Sequence, residues 1–293
     1  MTVRRRLGAG LVAAALFTPG LAACNATDAP GGTASPTASG VPTASGTAAA
    51  TTSGTPTGTA SPATGDAKQA LLASTAAIRD GNFRFTMTGV GSSAEGQVHE
   101  PSQSARMKVS IGDSSSDLSM TLDVIHYRPD SWVKVDLGGR AAGSVPGLET
   151  LNLGKYQHLD QTRIKGNRNL GFDFDRLDPA GSEVLTQGIT EVRRTGEGAY
   201  AGTLDVSKAA EAGSLDAGMI TALGAQAKAV PFTARVDAQG RLSELVVQIP
   251  AAGQQQAQDV RITYSDYGNA TAAQKPPADQ VVEAPAELYN LFN

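Results

Sequence analysis

From Phe83 onward the apolar residues fall on every second position, and this limits what the chain can become more than any other feature. Phe83, Phe85 and Met87 alternate with Arg84, Thr86 and Thr88. Val98, then Met107, Val109 and Ile111, then Leu118, Met120, Leu122 and Val124 keep the same period. A period of two belongs to strands with one buried face. Breaks such as Gly91-Ser92-Ser93 and Gly112-Asp113-Ser114 separate the runs, so the spacing predicts an antiparallel meander of long strands. Residues 131–137 and 155–160 extend it, each joining an aromatic (Trp132, Tyr156) to polar neighbours. Further strands are expected at 189–195, 199–206, 232–236, 242–249 and 260–264, with Asp237-Ala238-Gln239-Gly240-Arg241 as a hairpin turn. The stretch from Lys275-Pro276-Pro277 to the end reads as a strap along the domain.

Helical spacing is confined to a few places. Residues 66–80 place Ala67, Ala70, Leu71, Ala77 and Ile78 on one stripe, with Asp66 to cap the start and Gly81 to stop it. Residues 173–187, around Leu177, Val184 and Leu185, read as a short helical region. Residues 207–229 are expected to be helical in part, with Leu215, Met219, Ile220 and Leu223 as the apolar stripe. A sheet of about ten or eleven strands must curl or be covered, and helices set apart on an antiparallel sheet make an α+β fold.

The residues before this domain carry an address. Arg4, Arg5 and Arg6 precede an apolar run that ends in Leu21-Ala22-Ala23-Cys24, the order of a secretory signal. The run is short for a bilayer span of about 20 residues and is interrupted by Pro19 and Gly20. Leu21 to Cys24 resembles a lipobox, which implies cleavage before Cys24 and a diacylglyceryl thioether on it. Residues 1–23 are therefore expected to be a signal peptide. Residues 24–65 are expected to be a lipidated cysteine and a disordered tether of Thr, Ser, Pro, Ala and Gly, which cannot bury enough surface to offset the entropy of folding. Residues 66–293 form one domain, large enough for a substantial core. The expected location is the extracytoplasmic face of the cell membrane, with the coil of residues 29–65 reaching about 30–35 Å.

Charge and cysteine usage exclude several classes. Without the three signal arginines the 24 basic residues become 21 against 28 acidic ones, or −7, and no basic run follows residue 23. Nucleic acid is not an expected partner, nor is polybasic adhesion to anionic lipid. Cys24 is the only cysteine, which removes disulfides and thiolate metal sites. His99, His126 and His158 have no metal spacing, so neither a metal nor a cofactor is expected. Ser131-Trp132-Val133-Lys134 and Tyr267-Gly268-Asn269 match motifs of penicillin-recognising enzymes. That chemistry needs Ser and Lys one helical turn apart, whereas strand alternation puts residues three apart on opposite faces. No Gly-x-Ser-x-Gly elbow occurs, and the chain is not expected to be an enzyme.

A signal with lipobox, a low-complexity tether, one helix and a long meander, taken in that order, resemble the LppX/LprG lipoproteins of the LolA-like superfamily. The wording of Gly81-Asn82-Phe83-Arg84-Phe85, Trp132-Val133-Lys134-Val135-Asp136, Tyr156-Gln157-His158-Leu159-Asp160 and Tyr264-Ser265-Asp266-Tyr267-Gly268 is similar too, and the resemblance covers residues 66–270. It implies an α+β half-barrel, a large curved antiparallel sheet whose concave face is covered by helices around an apolar cavity. It also implies a hydrophobic ligand, the acyl chains of lipid, bound by a carrier or chaperone. An envelope sensor or assembly factor of the same fold, with a protein partner and no cargo, is the rival expectation. Candidate cavity residues are Leu71, Ile78, Phe83, Phe85, Met87, Met107, Val109, Met120, Leu122, Met219, Phe232 and Ile262. Met87, Met107, Met120 and Met219 each read more readily as core filler. Trp132 and Tyr156 fit a cavity mouth or a plain strand surface; Lys134 and Arg106 fit a lipid headgroup or a solvated face.

Overall fold

Alternation alone predicts strands, and it is the pairing of those strands that makes the domain. The computed structural model describes residues 64–293 apart from 90, 113–115, 141, 143–150, 168–169, 208, 210–214, 216, 254–255 and 293. Cys24, the signal and nearly all of the tether lie outside the described residues. The helix α1 (Thr64–Ser74) starts two residues inside the expected tether, so Asp66 sits in its first turn rather than capping it. A break at Thr75 sets off α2 (Ala76–Arg79), and Gly81 ends the helical segment as expected.

Two meanders follow. The first runs β1 (Asn82–Gly89), β2 (Ser92–His99), β3 (Ser104–Ile111), β4 (Ser119–Tyr127), β5 (Asp130–Gly138) and β6 (Tyr156–His158). The second runs β7 (Ile189–Gly196), β8 (Ala199–Leu204), β9 (Val230–Val236), β10 (Leu242–Ile249) and β11 (Gln258–Ser265). Antiparallel pairing of β1 with β11 joins them, and β12 (Val281–Glu283) lies parallel to β6. The result is one open sheet of 12 strands with β12 and β7 at its edges.

Short helices complete the α+β fold: α3 (Gln161–Ile164), α4 (Ser182–Gln187), α5 (Ala217–Leu223) and α6 (Ala286–Leu291). The helical region expected over 173–187 is thus reduced to its last turn and a half. Gly181, at φ +69°, interrupts the backbone before α4, and Asp178 accepts from Glu183 N at 2.7 Å to hold the start of the helix. The strand β12 and the helix α6 have no alternation long enough to be read, and both come from the expected strap.

The segment from Gly268 into the expected strap crosses the strands of the first meander. Gly268 N donates to Asn82 O at 2.7 Å, Gln97 Nε2 to Thr271 O at 2.9 Å, and Ala273 N to Ser104 Oγ at 2.9 Å. Lys275 then lies 4.9 Å from the Tyr127 ring centre and 3.5 Å from Asp130 before the chain reaches β12. At the β1–β11 seam Phe83 meets Tyr264 edge-on at 5.5 Å and Tyr267 at 6.1 Å. The Tyr264 hydroxyl donates to Asp178 at 2.8 Å and shares a 3.0 Å hydrogen bond with Ser182, fastening α4 to the seam.

At the β7 edge the strands approach so closely that Gly202 is required. A Cβ there would strike Glu191 O and crowd the Val192 Cα at 2.8 Å, beside the register shift between Ile189 and Glu191. Gly202→Ala is expected to lower stability by about 1–3 kcal/mol, the usual cost of forced overpacking, read from the urea midpoint. An unchanged midpoint would mean that the edge strand shifts freely.

Candidate functional site

The face carrying Phe83 and Phe85 is the packed face, and its core falls into two clusters. The larger includes Leu71, Ile78, Phe83, Phe85, Phe232 and Ile262, with Met219 and Leu223 from α5. The smaller is built on Leu122, Val124, Val133 and Val135 of β4 and β5, under Leu159, Ile164, Leu170, Leu288 and Tyr289. Leu71, Ile78, Phe83, Phe85, Leu122, Phe232, Met219 and Ile262 are all buried, so among the candidate residues these are in ordinary core positions.

The remaining candidates are different. Met87 and Met107 lean on the larger cluster, while Val109 and Met120 lean on the smaller, and all are only half-buried. Register explains why they line up. Met87, Ala94, Val109, Leu122 and Val135 are successive cross-strand partners from β1 to β5. Phe85, Gly96, Met107, Val124, Val133 and Gln157 form the next row and reach β6. Adjacent strands lie about 4.8 Å apart, so the β1-to-β5 lane is about 19 Å long.

Its floor is low on β2, where Ala94 and Gly96 face it. A Cβ on Gly96 would come within 2.7 Å of the Phe85 ring, which lies across the glycine. The adjoining row is Ile111, Met120 and Leu137, in which Ile111 is 46% exposed. Leu118, at 43%, lies two residues before Met120, and Leu153 is in the loop where Gly154 N donates to Val135 O. The lane therefore runs out into exposed apolar side chains at one end.

His126, Ser131 and Gln157 are polar groups on this face. His126 follows Ala105 and precedes Ser131 in register, and its Nδ1 is 2.8 Å from Ser131 Oγ. Its ring lies 5.5 Å from that of Phe172, and burial pushes its pKa down from 6.5 to about 4. Gln157 is fully buried, and among the described residues neither its Oε1 nor its Nε2 has a hydrogen-bond partner. Its cross-strand neighbours Val133 and Val282 are apolar. Leaving an amide unpaired in such a place costs about 1–3 kcal/mol. Gln157→Leu is accordingly expected to raise stability by about that much in urea unfolding; a loss would mean that the amide has a partner. The sequence held a signal for this residue: alternation puts Gln157 on the same face as Leu159, away from Tyr156 and His158.

The opposite face carries the residues considered for a mouth or a headgroup. Arg106 grips Asp123 through two hydrogen bonds of 2.9 and 2.6 Å, and the Tyr156 hydroxyl donates to Asp123 at 2.7 Å. Arg106 and Tyr156 together hold the Asp123 carboxyl below the ordinary range against the effect of burial, while burial and Asp123 push Tyr156 up to about 12. Trp132 and Tyr156 cluster with Ile125 and Ala273, and Lys275 covers Trp132. None of these borders the methionine lane.

Ser131 and Lys134 fall on opposite faces of β5: Ser131 bonds His126, while Lys134 lies 3.3 Å from Asp136 and over the Tyr156 ring. Among the described residues no group of three or more His, Cys, Asp or Glu is placed to hold a metal. A solvent-open groove of about 530 Å³ lies elsewhere, between the β7–β8 and β9–β10 hairpins, and is rimmed by Arg194, Glu197 and Asp237. Its charges suit it poorly to a hydrocarbon chain. Among the described residues no helix is long and apolar enough to cross a membrane. No protein-family model and no curated protein matches this chain.

Proposed function

We propose that this chain is a lipoprotein of the LppX/LprG type, held on the extracytoplasmic face of the cell membrane through lipid on Cys24. In this reading it carries or chaperones a hydrophobic ligand, the acyl chains of a lipid. The observation that carries the reading is the lane of half-buried Met87, Met107, Val109 and Met120 between the two core clusters, open at Ile111 and Leu118. Each methylene drawn from water onto such a surface contributes about 0.8 kcal/mol, so binding grows with chain length and needs no catalytic group. Methionine suits the task because its unbranched, polarizable side chain refills the space when the ligand leaves. The half-barrel with helices over its concave face belongs to this proposal: the two clusters would part along the lane to admit the chain.

Titration of the full chain with 1-N-phenylnaphthylamine tests the reading, since the dye brightens in an apolar site. Saturable brightening that added fatty acid reverses is the expected result. Absence of any brightening overturns it. One observation favours the rival reading, an envelope sensor or assembly factor: Ile111, Leu118 and Leu153 make an exposed apolar margin suited to a protein partner. Crosslinking that captures one stoichiometric partner, with no dye uptake, would select it.

A further inference from the structure

We infer that Gln157 is the polar anchor of the ligand site, and that the ligand is an acyl chain joined to an amide or bearing a hydroxyl near its polar end. The inference rests on the reading of the packed face as an acyl-chain site, and it adds the chemistry at the end of that chain. The row Met107, Val124, Val133, Gln157 crosses from β3 to β6 and ends at the amide. Three strand spacings separate Met107 from Gln157, about 14 Å along the packed face. Every side chain in that row before Gln157 is apolar.

Gln157 is fully buried with both amide atoms unpaired among the described residues, and in register it is flanked by Val133 and Val282. Buried polar groups in folded proteins are almost always hydrogen-bonded, so an exception inside a candidate binding face points to a ligand. The chemistry of the amide then selects the class. Its Nε2 donates and its Oε1 accepts. An ester carbonyl accepts from Nε2 but leaves Oε1 unsatisfied. A secondary or primary amide, or a hydroxyl, both donates and accepts, and satisfies the two atoms together. An N-acyl or hydroxyacyl lipid therefore fits Gln157 better than a simple ester. Because Val124 and Val133 are covered by the smaller cluster, the polar end reaches Gln157 only when that cover lifts.

The test compares hexadecanamide with methyl hexadecanoate as competitors of 1-N-phenylnaphthylamine on the full chain. In the wild type the amide is expected to displace the dye at about tenfold lower concentration, one satisfied buried hydrogen bond being worth about that factor. In Gln157→Leu the two competitors are expected to converge, because each loses its contacts to the amide and the amide competitor loses one more than the ester. Gln157→Met, an unbranched replacement, repeats the measurement should leucine pack poorly. A preference that is absent in the wild type, or that persists in both variants, overturns the anchor and leaves water as the partner of the amide. If neither competitor displaces dye from any form, or no dye binds, the acyl-chain reading itself fails and the anchor with it.

Discussion

Val109→Asp is expected to weaken uptake of an apolar dye by about 10- to 100-fold while the domain stays folded. Val109 is half-buried in the lane, between Ala94 and Leu122 in register, and packs against the smaller cluster. An acyl chain lying over it would have to strip water from a carboxylate with no cation in the same row. Even partial desolvation of an unpaired charge costs several kcal/mol, and each 1.4 kcal/mol is a factor of about ten in affinity. Thr88→Asp is the matched control. Thr88 is exposed, and one of its cross-strand neighbours is Arg261, so the same charge there should leave uptake unchanged. Dye titration with circular dichroism of each variant reads the result. Equal loss in both variants, or in neither, would dissociate the lane from binding.

Acid should weaken the fold through His126. Its folded pKa is about 4 against an ordinary 6.5, because burial against Phe172 disfavours the charged ring. Above pH 6.5 both folded and unfolded forms are neutral, and the full stability is present. As pH falls below 6.5 the unfolded chain takes a proton that the folded one refuses, and stability is lost until the ring titrates in place near pH 4. The expected loss is about 3 kcal/mol, on the scale of 1.4 kcal/mol per pKa unit. Asp178 acts in the other direction: burial raises its pKa, so protonation on acidification relieves part of that penalty. Asp123, held low by Arg106 and Tyr156, adds its own loss only below the ordinary carboxylate range. The difference between wild type and His126→Leu isolates the histidine, since both carboxylates are common to the two. Urea midpoints from pH 7 to pH 4 should converge downward for the wild type and stay flatter for the variant. Parallel curves would contradict a neutral buried imidazole.

The strands were legible because alternation is a local signal. Phe83, Phe85 and Met87 declare a buried face without reference to any partner. What alternation cannot reveal is which strands pair. That β1 lies beside β11, and β12 beside β6, depends on contacts between residues far apart in sequence. The same gap explains the candidate list. Met87 and Met219 look alike as apolar positions, but Met219, on α5, is buried in the larger cluster and Met87 is left half-covered against it. Trp132 was readable as a mouth residue until strand parity and the strap placed it under Lys275 on the opposite face. Gln157 was the harder case: parity marks its face, but only the folded surroundings show its amide without a partner among the described residues.

Native mass spectrometry of the full chain as purified from its host, with lipid extraction of the same sample, tests the central claim most directly. The carrier account predicts a stoichiometric adduct that extraction identifies as an acylated molecule. A clean mass of the protein alone, which takes up nothing when host lipids are added, would contradict it.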